Sequence, residues 1–183
     1  GALVEDWRGN RDEGIRKYRA YLAEYPDDSG VLFRLGYALM VSSQTESAIE
    51  AFERHIKLDG NSSAGYVNLA TCMKALKKDD EAYGYYQKAF ALTPELETGA
   101  FVNNEYGFLL VRMGKNEEAE KTFKKMTGIA DKWIQPRGFR SLALLQMFQG
   151  KYEAAQENLK VAVGLNVALK AGTDLAALDR FMT

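Results

Sequence analysis

SAGYVNLATCMKALKKDDEAYGYYQKAFALTPELET, residues 63–98, is the stretch that decides the fold. Leu69-Ala70 lies twelve residues before Ala82, and Tyr86 follows Ala82 by four, so small and large side chains share one helical face a turn apart. One helix offers a hole and the other a knob, which lets two helices of a hairpin approach closely. Pro94, twelve residues after Ala82, stops the second helix because it has no backbone donor.

The same frame recurs outward in both directions. Gly9-Asn10-Arg11-Asp12-Glu13-Gly14, Gly114-Lys115-Asn116-Glu117-Glu118-Ala119 and Gly150-Lys151-Tyr152-Glu153-Ala154-Ala155 align, and Gln44 to Ala48 and Lys78 to Ala82 fit beneath them. The closing small residues Gly14, Ala48, Ala82, Ala119 and Ala155 are spaced by 34, 34, 37 and 36. Each is followed four residues later by a large one: Tyr18, Phe52, Tyr86, Phe123 and Leu159. Twelve residues upstream of the last four stand Leu35-Gly36, Leu69-Ala70, Tyr106-Gly107 and Leu142-Ala143. The pattern predicts helices over roughly 1–8, 11–25, 29–42, 45–58, 63–76, 79–92, 99–113, 116–128, 134–149, 152–165 and 173–182.

This order of Leu-Gly, Ala, Phe, Ala and Pro resembles the tetratricopeptide repeat family, and the resemblance covers nearly the whole chain. It implies an all-α fold, a right-handed superhelix of helix-turn-helix repeats, arranged as a single array over 1–183. That array would hold a partial repeat at 1–28, repeats at about 29–62, 63–99, 100–135 and 136–169, and a last helix in 170–183 that either caps the array or opens another repeat. Because Gly9 falls where Gly114 and Gly150 fall, Ala2 to Arg8 reads as the tail of a helix cut through, so the chain is expected to be a fragment of a larger protein. His55 and Met126 stand where Ala89 and Ala162 supply a small residue, and should widen the packing between neighbouring hairpins. The longer spacings are assigned to loops at Pro94 to Gly99 and Gly128 to Gln135.

Composition narrows the function. Lys and Arg total 24 against 25 Asp and Glu, a net charge of -1, which gives no basic stripe for nucleic acid. Cys72 and His55 are the only residues of their kinds, too few for a disulfide or a zinc site, so neither metal nor cofactor is expected. No apolar run reaches the roughly 18 residues of a membrane-spanning helix. The expected compartment is the cytoplasm, with the periplasm as the alternative. No nucleophile motif or phosphate loop is present, so the protein is not expected to be an enzyme.

In the family the first helix of each hairpin lines a concave groove. Counting from the small residues places Phe33, Arg34 and Tyr37, then Asn68 and Thr71, then Asn104, Glu105 and Phe108, then Arg137 and Arg140 on that face. Met40, Val67, Lys74, Phe101, Arg112, Ser141, Leu144 and Phe148 are further candidates. Aromatics, amides and arginines suit a protein or peptide partner, with Asn bonding its main chain. The aromatics read equally as core, and Arg137 and Arg140 either grip an anionic partner or keep the surface soluble. The chaperone carboxylate clamp is not expected: Phe33 and Tyr37 stand where its first Lys and Asn belong, and Phe101 and Glu105 where Lys and Arg belong. A looser likeness, over Arg137 to Leu145 and Gly150 to Tyr152, is to the repeat tails of some bacterial serine/threonine kinases. That likeness gives a regulatory segment of a signalling enzyme as the second reading, with self-assembly a third.

Overall fold

The computed structural model describes residues 11–94 and 100–165, and every element in them is a helix. The chain divides into two compact units, Gly1–Pro94 and Glu95–Thr183. The first holds α1 (Arg11–Glu24), α2 (Ser29–Val41), α3 (Thr45–Leu58), α4 (Ser63–Ala75) and α5 (Asp79–Leu92). The second holds α6 (Ala100–Arg112), α7 (Asn116–Thr127), α8 (Ile134–Phe148) and α9 (Tyr152–Leu165). Hairpins form from α2 with α3, α4 with α5, α6 with α7, and α8 with α9. These bounds lie within a residue of those the periodicity predicts; the expected segments 1–8 and 173–182 and the loop at 95–99 lie outside the described residues.

The four described hairpins turn by the same device. The N–H groups of Gln44, Lys78, Lys115 and Lys151 reach back to the carbonyls of Leu39, Met73, Leu110 and Gln146 at 2.9, 3.0, 2.8 and 2.8 Å. The residue before each donor is left-handed, with φ of 60 at Ser43, 59 at Lys77, 74 at Gly114 and 73 at Gly150. This closure satisfies carbonyls that the helix end would leave open. Two repeats supply glycine at the left-handed position and two do not. Lys77 is exposed, and Lys77→Gly is expected to raise stability by about 0.5–1 kcal/mol, since glycine carries no Cβ penalty there. Urea unfolding measures it, and a variant less stable than the parent would refute the strain assignment.

The second helices then begin without a side-chain cap at Gln44, Lys78 and Lys115. Acidic first turns compensate, with Glu46, Asp79-Asp80-Glu81 and Glu117-Glu118 facing the positive helix end. First helices are capped instead: Asp28 Oδ1 accepts from Val31 N at 2.9 Å, and Ser62 Oγ accepts from Gly65 N at 3.2 Å. Ahead of α8, Asp131 Oδ1 accepts from the N–H groups of Trp133 and Ile134 at 2.8 and 2.9 Å. Those donors hold the Asp131 carboxyl below its ordinary range, so this cap persists through neutral pH and is lost only as pH falls through that lowered value.

Inside each hairpin the small residue meets the large one. A Cβ added at Gly36 would lie 2.7 Å from Phe52 Cε1, and one at Gly107 would lie 2.6 Å from Phe123 Cζ. Ala70 with Tyr86, and Ala143 with Leu159, occupy the matching positions and are buried. Burial raises the Tyr86 phenol above its ordinary value, with the Thr71 hydroxyl acting in the opposite sense.

Between hairpins the structure corrects one expectation. His55 and Met126 do not widen the packing, because each large residue meets a glycine on the next first helix. A Cβ at Gly65 would sit 2.8 Å from His55 Cδ2, and one at Gly138 would sit 2.7 Å from Met126 Cβ. Size is exchanged between partners, and the helices stay close. Of the lengthened loops, the described one runs from Gly128 to Trp133, and Gln135 Nε2 donates across it to Thr127 O at 2.9 Å.

Candidate functional site

His55 shows how far the fold uses polar chemistry for itself. It is buried, with Nδ1 2.9 Å from Ser29 O and 2.8 Å from Ser29 Oγ, while Nε2 lies 2.7 Å from Ser62 Oγ. A carbonyl only accepts, so Nδ1–H donates to Ser29 O and the Ser62 hydroxyl donates to Nε2. Both ring nitrogens are thereby committed to tying the starts of α2 and α4 to α3. Cys72 is buried, and burial pushes its thiol up to about 11, away from nucleophilic reactivity. Among the described residues no group of His, Cys, Asp or Glu could hold a metal ion, and no helix is long and apolar enough to cross a membrane.

In the first unit the candidate face lies on α2 and α4, which sit side by side. Arg34 is exposed and Tyr37 is 42% exposed. Asn68 is half-buried, in the register of Arg34 one repeat on, and nothing among the described residues bonds its amide. Phe33 turns inward: its ring packs edge-on against Phe52 at 5.8 Å and against His55 at 5.2 Å. The Thr71 hydroxyl donates to Val67 O at 3.0 Å, Val67 itself is buried, and Met40 packs on the core.

In the second unit the face lies on α6 and α8, also neighbours. Asn104 Oδ1 accepts from the buried Ser141 hydroxyl at 2.7 Å, so this amide ties the two first helices together. The Phe108 ring lies 5.2 Å from that of Phe123, inside its hairpin, and Glu105 is half-buried. Arg137 and Arg140 are exposed. Phe101 and Phe148 are 60% and 77% exposed. The structure adds Trp133, 65% exposed at the start of α8 with Lys132 Nζ 5.4 Å from its ring centre. Periodicity did not single it out because it precedes the helix.

The exposed candidates are therefore Arg34 and Tyr37, with the half-buried Asn68, in one unit, and Phe101, Arg112, Trp133, Arg137, Arg140 and Phe148 in the other. Phe33, Asn104 and Phe108 pack or bond across to neighbouring helices, and the Thr71 hydroxyl is engaged within α4. The surface offers cations, flat apolar area and an unbonded amide.

Comparison with known proteins places this architecture. The tetratricopeptide repeat model matches residues 7–64. No curated protein matches the chain. Among solved structures, MamA is 23% identical with a TM-score of 0.79, covering 90% of this chain and 94% of that one. A tetratricopeptide repeat protein from Parabacteroides merdae is 15% identical with a TM-score of 0.84, covering 99% and 70%. YrrB, described as a repeat protein with an unusual peptide-binding site, is 17% identical with a TM-score of 0.75, covering 96% and 88%. None of this supports the kinase-tail likeness of residues 137–152. The fold is one that in general serves as a non-catalytic scaffold for protein interaction. Residues 7–64 are thus matched by the tetratricopeptide repeat family, and the chain as a whole shares the helical-repeat fold of solved tetratricopeptide repeat proteins.

Proposed function

We propose that the exposed first-helix face within a unit holds an extended peptide segment of another protein. The observation that carries this reading is a pair of residues on neighbouring first helices: Tyr37, a partly exposed aromatic on α2, and Asn68, a mid-helix amide on α4 that no described residue bonds. Asn is a poor helix former, while an amide bonds a peptide main chain through both donor and acceptor. Tyrosine supplies broad contact area at small entropic cost. That YrrB is described as binding peptide agrees with the reading.

Photo-crosslinking tests it. A benzoylphenylalanine at position 37 is expected to trap a partner in the source cells, whereas the same probe at Leu58, exposed on α3, is not. Asn68→Ala should cut the position-37 crosslink about tenfold, the loss expected for a hydrogen-bonding contact at a binding centre. Equal crosslinking at 37 and 58, or indifference to Asn68→Ala, would refute the assignment.

A further inference from the structure

Charge is distributed unevenly between the two kinds of helix. The first helices α2, α4, α6 and α8 carry Arg34, Lys74, Arg112, Arg137 and Arg140 against one acid, Glu105. The second helices α1, α3, α5, α7 and α9 carry fourteen acids against eleven bases. A chain of net charge -1 thus carries an excess of basic residues on its first helices. Each unit does so separately: α2 and α4 contain Arg34 and Lys74 and no Asp or Glu, and α6 and α8 contain three arginines and Glu105. The hairpin turn does not require this, since any polar residue would solvate the outward positions. Arg34 and Arg137 are exposed, and neither bonds or pairs with any described residue.

We infer that the segment held on these faces is an acidic peptide, an inference that rests on the peptide-binding reading above. An unengaged guanidinium offers a planar donor fork that matches a carboxylate in two bonds. Each face pairs such a fork with aromatic area: Tyr37 beside Arg34's stretch of α2, and Trp133 at the start of the helix that bears Arg137. The net negative second helices α3, α5 and α9 would repel the same ligand, while α1 and α7 do not carry an excess of base that would compete strongly for it, so complementarity favours the first helices. A nucleic acid fits less well. Its phosphates are neutralised by a continuous basic track, whereas the first helices of each unit sum to a formal charge of only two, and the Asn68 amide suits a peptide main chain.

A ribosome-displayed random library of peptides about 12 residues long, enough to span ~40 Å when extended, is panned over the full chain. The recovered peptides are expected to be enriched in Asp and Glu. Their binding should weaken about tenfold in the double variant Arg34→Gln, Arg137→Gln, the scale of losing charge-assisted hydrogen bonds. It should stay within about twofold in Lys57→Gln, Lys121→Gln, which removes equal charge from second helices and so controls for bulk electrostatics. Neutral or basic recovered peptides, or acidic ones indifferent to the arginine variant, overturn the acidic assignment and leave peptide binding standing. Recovery of no peptide above matrix overturns both. An oligothymidylate that displaces the recovered peptides and shows the same loss in the arginine variant overturns the peptide in favour of nucleic acid.

Discussion

Gly107→Ala will destabilise the second unit by about 2–3 kcal/mol, although a helical Gly→Ala exchange ordinarily gains up to about 1 kcal/mol. The sign inverts because of one neighbour. The added methyl would lie 2.6 Å from Phe123 Cζ and 2.9 Å from Cδ1. Phe123 is fully buried, and its ring is backed by that of Phe108 at 5.2 Å, so it has nowhere to turn. Trimming the knob should therefore rescue the filled hole: in a Phe123→Leu background, Gly107→Ala is expected to cost under about 1 kcal/mol. Urea unfolding of the four members of this cycle measures the coupling. Hydrogen exchange over α6 and α7 locates it, since two units need not unfold together. A Gly107→Ala variant as stable as the parent, or equal costs in both backgrounds, would refute the knob-and-hole pairing.

Gly138→Ala will be at least as costly, about 3 kcal/mol, and no trimming of its neighbour will relieve it. Here the added atom would meet Met126 Cβ and Thr127 N at 2.7 Å and Met126 C at 2.8 Å. Those atoms belong to the backbone of α7 or hang directly from it, and Met126→Ala keeps the offending Cβ. The helices themselves would have to part, giving up buried contacts of Met126, which is fully enclosed. Thermal unfolding of Gly138→Ala alone and with Met126→Ala checks this. Restoration of the midpoint by Met126→Ala would show that the side chain, and not the close approach of two backbones, sets the limit. Gly65 gives the contrasting case: its nearest atoms are side-chain atoms, His55 Cδ2 at 2.8 Å and Ile56 Cγ2 at 2.9 Å.

The two glycines differ in how visible they are in the sequence. Gly107 stands twelve residues before Ala119 in the repeating frame, so its partner Phe123 could be named from spacing alone. Gly138 and Gly65 lie outside that frame. They acquire meaning only once Met126 and His55 are seen opposite them, and without them the large residues read as spacers between hairpins. The candidate face divides in a similar way. Counting placed Arg34, Tyr37, Arg137 and Arg140 on first helices, and all four are exposed. The same counting put Phe33, Asn104 and Phe108 outward, whereas their side chains are spent on Phe52 and His55, on Ser141, and on Phe123.

Helix positions, hairpin partners and the knob-and-hole pairs within a hairpin were determined by sequence alone, because they depend on periodicity over a few turns and on turns that close within six residues, such as Leu39 to Gln44. Tertiary structure decided which residues face out and how successive hairpins meet. A side chain at the edge of a helical face goes inward or outward according to the partner presented by the next helix, and that partner is chosen by the crossing of two helices and the size of what already fills the gap. His55 finding Gly65, and Asn104 finding Ser141, are decisions of that kind.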